Sequence, residues 1–150
     1  MLEAISLGRT GMNNNEGGPF GCVIVKGEEI VGRGWNRVLH LNDPTAHAEV
    51  TAIRDACSNL GTFQLTDCEI YTTCEPCPMC MGAIYWARPA KVYYANTRTD
   101  AAEIGFDDSM IYEELTLPLQ FRKISIINIG RDHALSLFLD WKQKENKNLY

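Results

Sequence analysis

Apolar positions recur along this chain in two rhythms, and the switches between them mark its elements. Leu2, Ile5 and Leu7 predict a short amphipathic helix ending near Gly11. The polar, glycine-bearing stretch 13–18 reads as a loop. Runs at 22–25 and 30–35, separated by Lys26-Gly27-Glu28, predict an antiparallel hairpin with a tight turn. After a loop over 36–44, Ala48, Ala52, Ile53 and Ala56 return at helical spacing, with Thr45 as the expected N-cap and Gly61 as the stop. Positions 68–73 read as a buried strand. Pro78 suits the first turn of a helix that carries Met81, Ile84 and Tyr85 and ends before Pro89. Beyond it the pattern predicts a strand at 91–95, an acidic helical or loop-like stretch at 99–114, a strand at 124–129 and a helix at 134–141, then a polar tail to Tyr150.

That order predicts an α/β fold: a three-layer α/β/α sandwich around a central mixed five-stranded sheet. No repeat or low-complexity linker divides the sequence, and 150 residues suit one core, so a single domain over 1–150 is expected.

Composition narrows the partners more than the fold. Hydrophobic residues at 45% and charged residues at 22% are ordinary for a soluble globular domain. A net charge of −5 weighs against a nucleic-acid partner, because phosphate binding calls for a basic face, although a local basic groove stays compatible with it. No apolar run approaches the roughly 20 residues of a membrane span. Met1-Leu2-Glu3-Ala4 has neither the basic start nor the long apolar stretch of a signal peptide. The expectation is therefore a cytoplasmic protein with no membrane partner.

The cysteines bring in the chemistry. Cys22, Cys57 and Cys68 fall in apolar or helical stretches and are expected to be buried small side chains. Cys74, Cys77 and Cys80 are clustered, and with no export signal metal ligation suits them better than disulfides. Upstream stands His47-Ala48-Glu49. His47, Cys77 and Cys80 make three zinc ligands and leave a fourth position for water, the arrangement of a catalytic zinc. Both halves of the motif fall at expected helix starts, where partial positive charge and free N–H groups favour thiolates at Cys77 and Cys80.

Glu49, two residues from the histidine, is free to move protons. Backbone N–H groups near Ala48 and Cys77 are placed to steady a tetrahedral centre. Other readings compete. A closed structural zinc would take Cys74 as fourth ligand, but leaves Glu49 and Pro76 without a role. An iron–sulfur cluster would want another cysteine soon after Cys80, and 81–90 offers none. His40 and His133 show no partners and read as surface residues.

His-x-Glu followed by Pro-Cys-x-x-Cys is the signature of the zinc deaminases. Four runs extend the likeness over nearly the whole chain: Gly17-Gly18-Pro19-Phe20-Gly21, 42–49 (Asn-Asp-Pro-Thr-Ala-His-Ala-Glu), 73–80 (Thr-Cys-Glu-Pro-Cys-Pro-Met-Cys) and Gly105-Phe106-Asp107-Asp108-Ser109. Together with the terminal tyrosine they resemble the bacterial guanine deaminases of the cytidine-deaminase-like superfamily. The first three runs are shared with the transfer-RNA adenosine deaminases; the Gly-Phe-Asp-Asp run and Tyr150 are the more discriminating parts.

The resemblance implies one zinc ion per chain, a small purine as substrate, and a homodimer that exchanges its C-terminal segment, about 130–150. It also implies roles for individual residues. Phe20 stacks near the purine, Asn36 bonds the base, Trp86 walls the pocket, Asp108 accepts from guanine N–H groups, and Tyr150 closes the partner's site. A carboxylate suits guanine, whose N1–H and 2-amino group both donate, and rejects adenine, whose edge lacks them.

Read without the family, Phe20 and Trp86 also suit a core, Asn36 a turn, Asp107 and Asp108 a solvated face, and Tyr150 the end of a tail. The choice of Asp108 over Asp107 comes from the resemblance alone. The function expected is zinc-dependent hydrolysis of guanine to xanthine and ammonia. Alternatives are another small amino-purine, a nucleoside, a triazine or pyrimidine, a transfer-RNA adenosine, and last a non-enzymatic zinc scaffold.

Overall fold

Strand β1 (Gly21–Lys26) is the centre on which the chain is organised in the computed structural model, which describes residues 1–149. It pairs antiparallel with β2 (Glu29–Trp35) on one side and antiparallel with β3 (Cys68–Cys74) on the other. Gly27, at φ 62°, takes the left-handed conformation that the β1–β2 turn requires. β3 pairs in parallel with β4 (Lys91–Asn96), and the sheet order is β2-β1-β3-β4. A parallel pair needs a crossover. Helix α4 (Pro78–Ala87) supplies it and so starts where β3 ends.

The two faces of the sheet are covered differently. Cys22, Ile24 and Ile70 point to the face that holds α3 (Ala48–Leu60) and α4, where they pack with Ala48, Ala52, Ala56 and Ile84 in one buried cluster. Full burial of side chains such as Ile24 and Ile70 stabilises the fold by roughly 1.5–3 kcal/mol each. The approach of α3 is close: a Cβ on Gly32 would lie 2.6 Å from the Ala52 carbonyl oxygen. Alanines on the helix and glycines on the strand are what admit that distance. The opposite face carries α1 (Leu2–Asn13), whose Ala4 and Gly8 backbone meets Gly21. Within this part of the chain the layers are helix, sheet, helix.

Several expectations need correction. The sheet has four strands, not five, because 124–129 is not a strand. Its isoleucines have the composition of one, but a strand exists only through hydrogen bonds to a neighbouring edge, and this segment takes none. Thr45 is not the cap of α3; His47 is. The Thr45 hydroxyl and amide both donate to Asp43 Oδ1, at 2.7 and 2.8 Å, so a tight Asx turn uses them before the helix begins. The loop 36–44 contains a single helical turn, α2 (Val38–Leu41). The acidic stretch resolves into α5 (Arg98–Glu103) and α6 (Ser109–Thr116), separated at Gly105, whose φ is 92°.

The chain divides into two compact units, Met1–Met110 and Ile111–Tyr150. The second holds most of α6, a 3-10 turn (Leu119–Phe121) and α7 (Arg131–Gln143). Arg122 stitches its first part together, donating to the carbonyls of Leu117 and Leu115 at 3.0 and 3.3 Å. No described residue of this unit is buried, and Ile127, Ile129, Leu137 and Phe138 are exposed. No helix among the described residues is long and apolar enough to cross a membrane.

Candidate active site

Two helix starts converge at the C-terminal end of β3. His47 is the N-cap of α3 with φ −69° and ψ 159°, and Cys77 is the N-cap of α4 with φ −65° and ψ 168°. Both therefore stand in extended backbone just ahead of a helix. Pro78 fixes the first turn of α4, and Cys80, two residues on, is fully buried on the same side.

His47 Nδ1 lies 3.6 Å from Cys77 Sγ and 3.6 Å from Cys80 Sγ. Bonds of about 2.3 Å to sulfur and 2.05 Å to nitrogen, at a tetrahedral angle, require an N···S separation of about 3.6 Å. The donor set thus fits a tetrahedral zinc. Among the described residues these three are the group of possible ligands that come together, and Cys74 is not with them. Its Sγ donates instead to the Thr97 carbonyl at 3.6 Å, and burial, then nearby carboxylates, push its thiol up to about 11. The closed four-ligand alternative therefore lacks its fourth ligand here.

The electrostatics show how tightly the groups are coupled. The Cys77 thiol is lowered to about 4, first by the hydrogen bond from Cys80, with His47 helping and burial opposing. Cys80 is pushed far up, first by that same bond, then by burial and the charge of Glu49. Its bond to Cys77 raises His47, against the effect of burial. A cation held by these groups would compete with their protons.

Glu49 occupies the first turn of α3 and is 6% exposed. Burial raises its carboxyl above the usual range. Thr72 Oγ1 donates to its Oε1 at 3.3 Å and Cys80 Sγ to its Oε2 at 3.3 Å. A buried carboxyl with a raised pKa beside a ligand set is placed for proton transfer. Ala48, fully buried, contributes one of the amides at the helix start that no intrahelical carbonyl takes.

The other expected residues have the following surroundings. Asn36 is buried; its Oδ1 accepts from the Val38 amide at 3.2 Å. Its own amide donates to the Phe20 carbonyl at 3.0 Å. Gly17 has no Cβ because Asn36 Oδ1 occupies that space. Phe20 meets Phe106 edge to face, ring centroids 4.9 Å apart. The two neighbouring aspartates are used differently. Asp107 Oδ1 accepts from the Ser109 amide at 2.9 Å and is held low by it. Asp108 is raised, by burial first and the charge of Cys77 second, and its own charge acts on His47. Trp86, on the last turn of α4, is 64% exposed. Tyr150 lies outside the described residues.

Two residues of this region carry no mark in the sequence motif. Phe106 sits inside the Gly-Phe-Asp-Asp run, but only the fold sets its ring against Phe20. Thr72 had a legible signal: it is the hydroxyl residue at an inward position of β3, where its neighbours on that face are Cys68, Ile70 and Cys74.

Comparison with known proteins bears directly on this geometry. Residues 1–96 match the cytidine and deoxycytidylate deaminase zinc-binding region. Guanine deaminase of Bacillus subtilis is 55% identical over 150 residues, covering 100% of this chain and 96% of that protein. The crystal structure of guanine deaminase from Bacillus subtilis superposes with a TM-score of 0.96 at 54% identity, over 99% of this chain and 95% of that one. A tRNA-specific adenosine deaminase of Aquifex aeolicus is 48% identical, but over 77 residues, 51% of this chain and 51% of that protein. Matched from end to end, and through the region that holds His47, Glu49, Cys77 and Cys80, the chain belongs to the cytidine and deoxycytidylate deaminase family and within it stands beside bacterial guanine deaminase.

Proposed function

We propose that this protein hydrolyses guanine to xanthine and ammonia with one zinc ion per chain. The observation that carries the reading is the buried Glu49 carboxyl set against the His47–Cys77–Cys80 group, in a chain similar along its whole length to a guanine deaminase. His47, Cys77 and Cys80 would hold the zinc, which when bound would supply Lewis-acid activation of water.

The remaining work falls to the chain's own groups. Glu49 takes a proton from the attacking water and delivers protons to the ring nitrogen beside the reacting carbon and to the departing 2-amino group. Asp108 accepts from N1–H and the 2-amino group. A cationic or donor ligand there relieves the cost that burial and Cys77 place on its charge. Asn36, its Oδ1 already engaged by Val38, offers its amide nitrogen to a base acceptor. Phe20 faces the ring, the Ala48 amide lies at the reacting end, and Trp86 completes the wall. The six free cysteines suit a reducing, cytoplasmic location.

The decisive measurement is ammonia release by zinc-loaded protein from guanine, guanosine, cytosine, adenine and a transfer-RNA anticodon stem-loop. Turnover of guanine is expected to exceed that of every other member. Brisk turnover of another member with none of guanine would sink the substrate reading. Freshly purified protein without zinc, and without gain on adding it, would sink the chemistry.

The 1–150 chain acts as one functional domain in a homodimer that exchanges its C-terminal segment, about 130–150. The support is physical: α7 carries Leu135, Leu137, Phe138 and Trp141 with no buried residue, a surface that a second copy would cover. Tyr150 then closes the partner's site. Deleting the last three residues, Asn148 to Tyr150, is expected to lower guanine turnover at least tenfold (~1.4 kcal/mol) with zinc still bound. Unchanged turnover would remove Tyr150 from the site, and a monomer by light scattering would remove the exchange.

A further inference from the structure

The inward face of β3 presents Cys68, Ile70, Thr72 and Cys74 to α3 and α4, all of them buried. Thr72 is 1% exposed and brings the one hydroxyl on that face. It donates to Glu49 Oε1 at 3.3 Å, while Oε2 takes Cys80 Sγ–H at 3.3 Å. The two bonds are not equivalent. Oε2 faces the sulfur of one of the three possible metal ligands, whereas Oε1 faces β3. The Thr72 hydroxyl is not a ligand and keeps its proton.

We propose that Thr72 is the positioning residue for Glu49: its hydroxyl pins Oε1 against β3 and leaves Oε2, on the side of the ligand cysteines, as the oxygen that exchanges protons. The terminal torsion of a glutamate is broad and roughly two-fold. Without the pin, the two oxygens interchange and the carboxyl spends less time in the productive orientation. A buried oxygen also loses its donor. The kinetic side of this role rests on the deaminase reading given above; the hydrogen bond itself does not.

Thr72→Val keeps the β-branched shape and removes only the hydroxyl. In zinc-loaded protein it is expected to lower kcat for guanine about tenfold (~1.4 kcal/mol), with KM and zinc content close to those of the parent and a melting temperature lowered by a few degrees for the oxygen that loses its donor. Thr72→Ser restores kcat to within about twofold, since it returns the donor.

A second readout needs no turnover. The carboxylate stretch of Glu49, isolated by infrared difference against Glu49→Gln, is expected to shift in Thr72→Val and return in Thr72→Ser. An unshifted band overturns the hydrogen bond. A shifted band with unchanged kcat on whichever panel member is turned over overturns the positioning role. So does a fall in kcat that Thr72→Ser leaves uncorrected, or one accompanied by loss of zinc. If guanine is not a substrate but the band shifts and returns, the pin stands and only the substrate reading fails.

Discussion

Glu49→Gln is expected to reduce guanine turnover by about 10³-fold while zinc stays bound, because general acid–base catalysis by one positioned group contributes about 10²–10⁴-fold. The substitution is chosen for what it keeps. Glutamine has the length of glutamate, and its carbonyl oxygen can still accept from Thr72, so the buried hydroxyl retains a partner. What it removes is the ability to take up and return a proton. Glu49→Ala is expected to be as inactive, but also leaves the Thr72 hydroxyl facing a void, and so mixes a packing loss with the chemical one. The check is ammonia release at saturating guanine beside zinc content by atomic absorption. Parent-like turnover in Glu49→Gln would end the assignment of this residue. Zinc lost along with activity would mean that Glu49 supports the ligand set and not the proton transfer.

The second large effect is expected at Asp108. Asp108→Ala should lower kcat/KM for guanine by about 10²–10³-fold. On the proposed reading it removes two hydrogen bonds to a charged acceptor, each worth about 1.5–3 kcal/mol, one of them to the amine that departs. Asp108→Asn is more informative about specificity. Its amide offers one acceptor and one donor, so guanine's two adjacent donors meet one match and one opposition, while an edge with a ring acceptor fares better. The ratio of guanine to adenine kcat/KM should therefore fall further than either alanine or loss of stability would explain. Asp107→Asn serves as the contrast. Asp107 is engaged at the start of α6, where the side-chain oxygen of asparagine can take the same Ser109 amide, so guanine kinetics should change little. If Asp107→Asn and Asp108→Asn exchange these outcomes, the base is read by the other carboxylate.

His47, Glu49, Cys77 and Cys80 were legible because their chemistry depends on short-range spacing. Cys-x-x-Cys at a helix start brings both sulfurs to one point, and His-x-Glu at another presents a ligand and a proton carrier together. Only the exact cap was misplaced, since Thr45, a good capping type, was already bound by Asp43. The hairpin, α3, α4 and β4 were legible for a related reason: each is a short apolar run bounded by turn signals or a set of apolar positions at helical spacing. The segment 124–129 has the composition of a strand without forming one, because an apolar pattern describes a face and says nothing of whether a partner edge exists.

Asn36, Phe20 and Asp108 were named through likeness to a family, and each had an ordinary reading beside it. Their placement depends on contacts between residues far apart in the chain. Asn36 is set by Gly17 and by the backbone of Phe20, and Phe20 by the ring of Phe106. Asp107 takes the Ser109 amide at a helix start, while Asp108 is raised by burial first and by the charge of Cys77 second. No local pattern distinguishes two consecutive aspartates. Thr72 is the clearest case. Its type and its inward register were visible in the strand, but the carboxyl it meets comes from a helix 23 positions away.

By itself, then, the sequence determined the reaction class, because metal ligation and proton transfer need particular side chains at spacings that one turn of helix can satisfy. The tertiary structure decided which donors reach Glu49 and how many strands the sheet has. Each of those is a relation between groups that only packing brings within hydrogen-bonding distance.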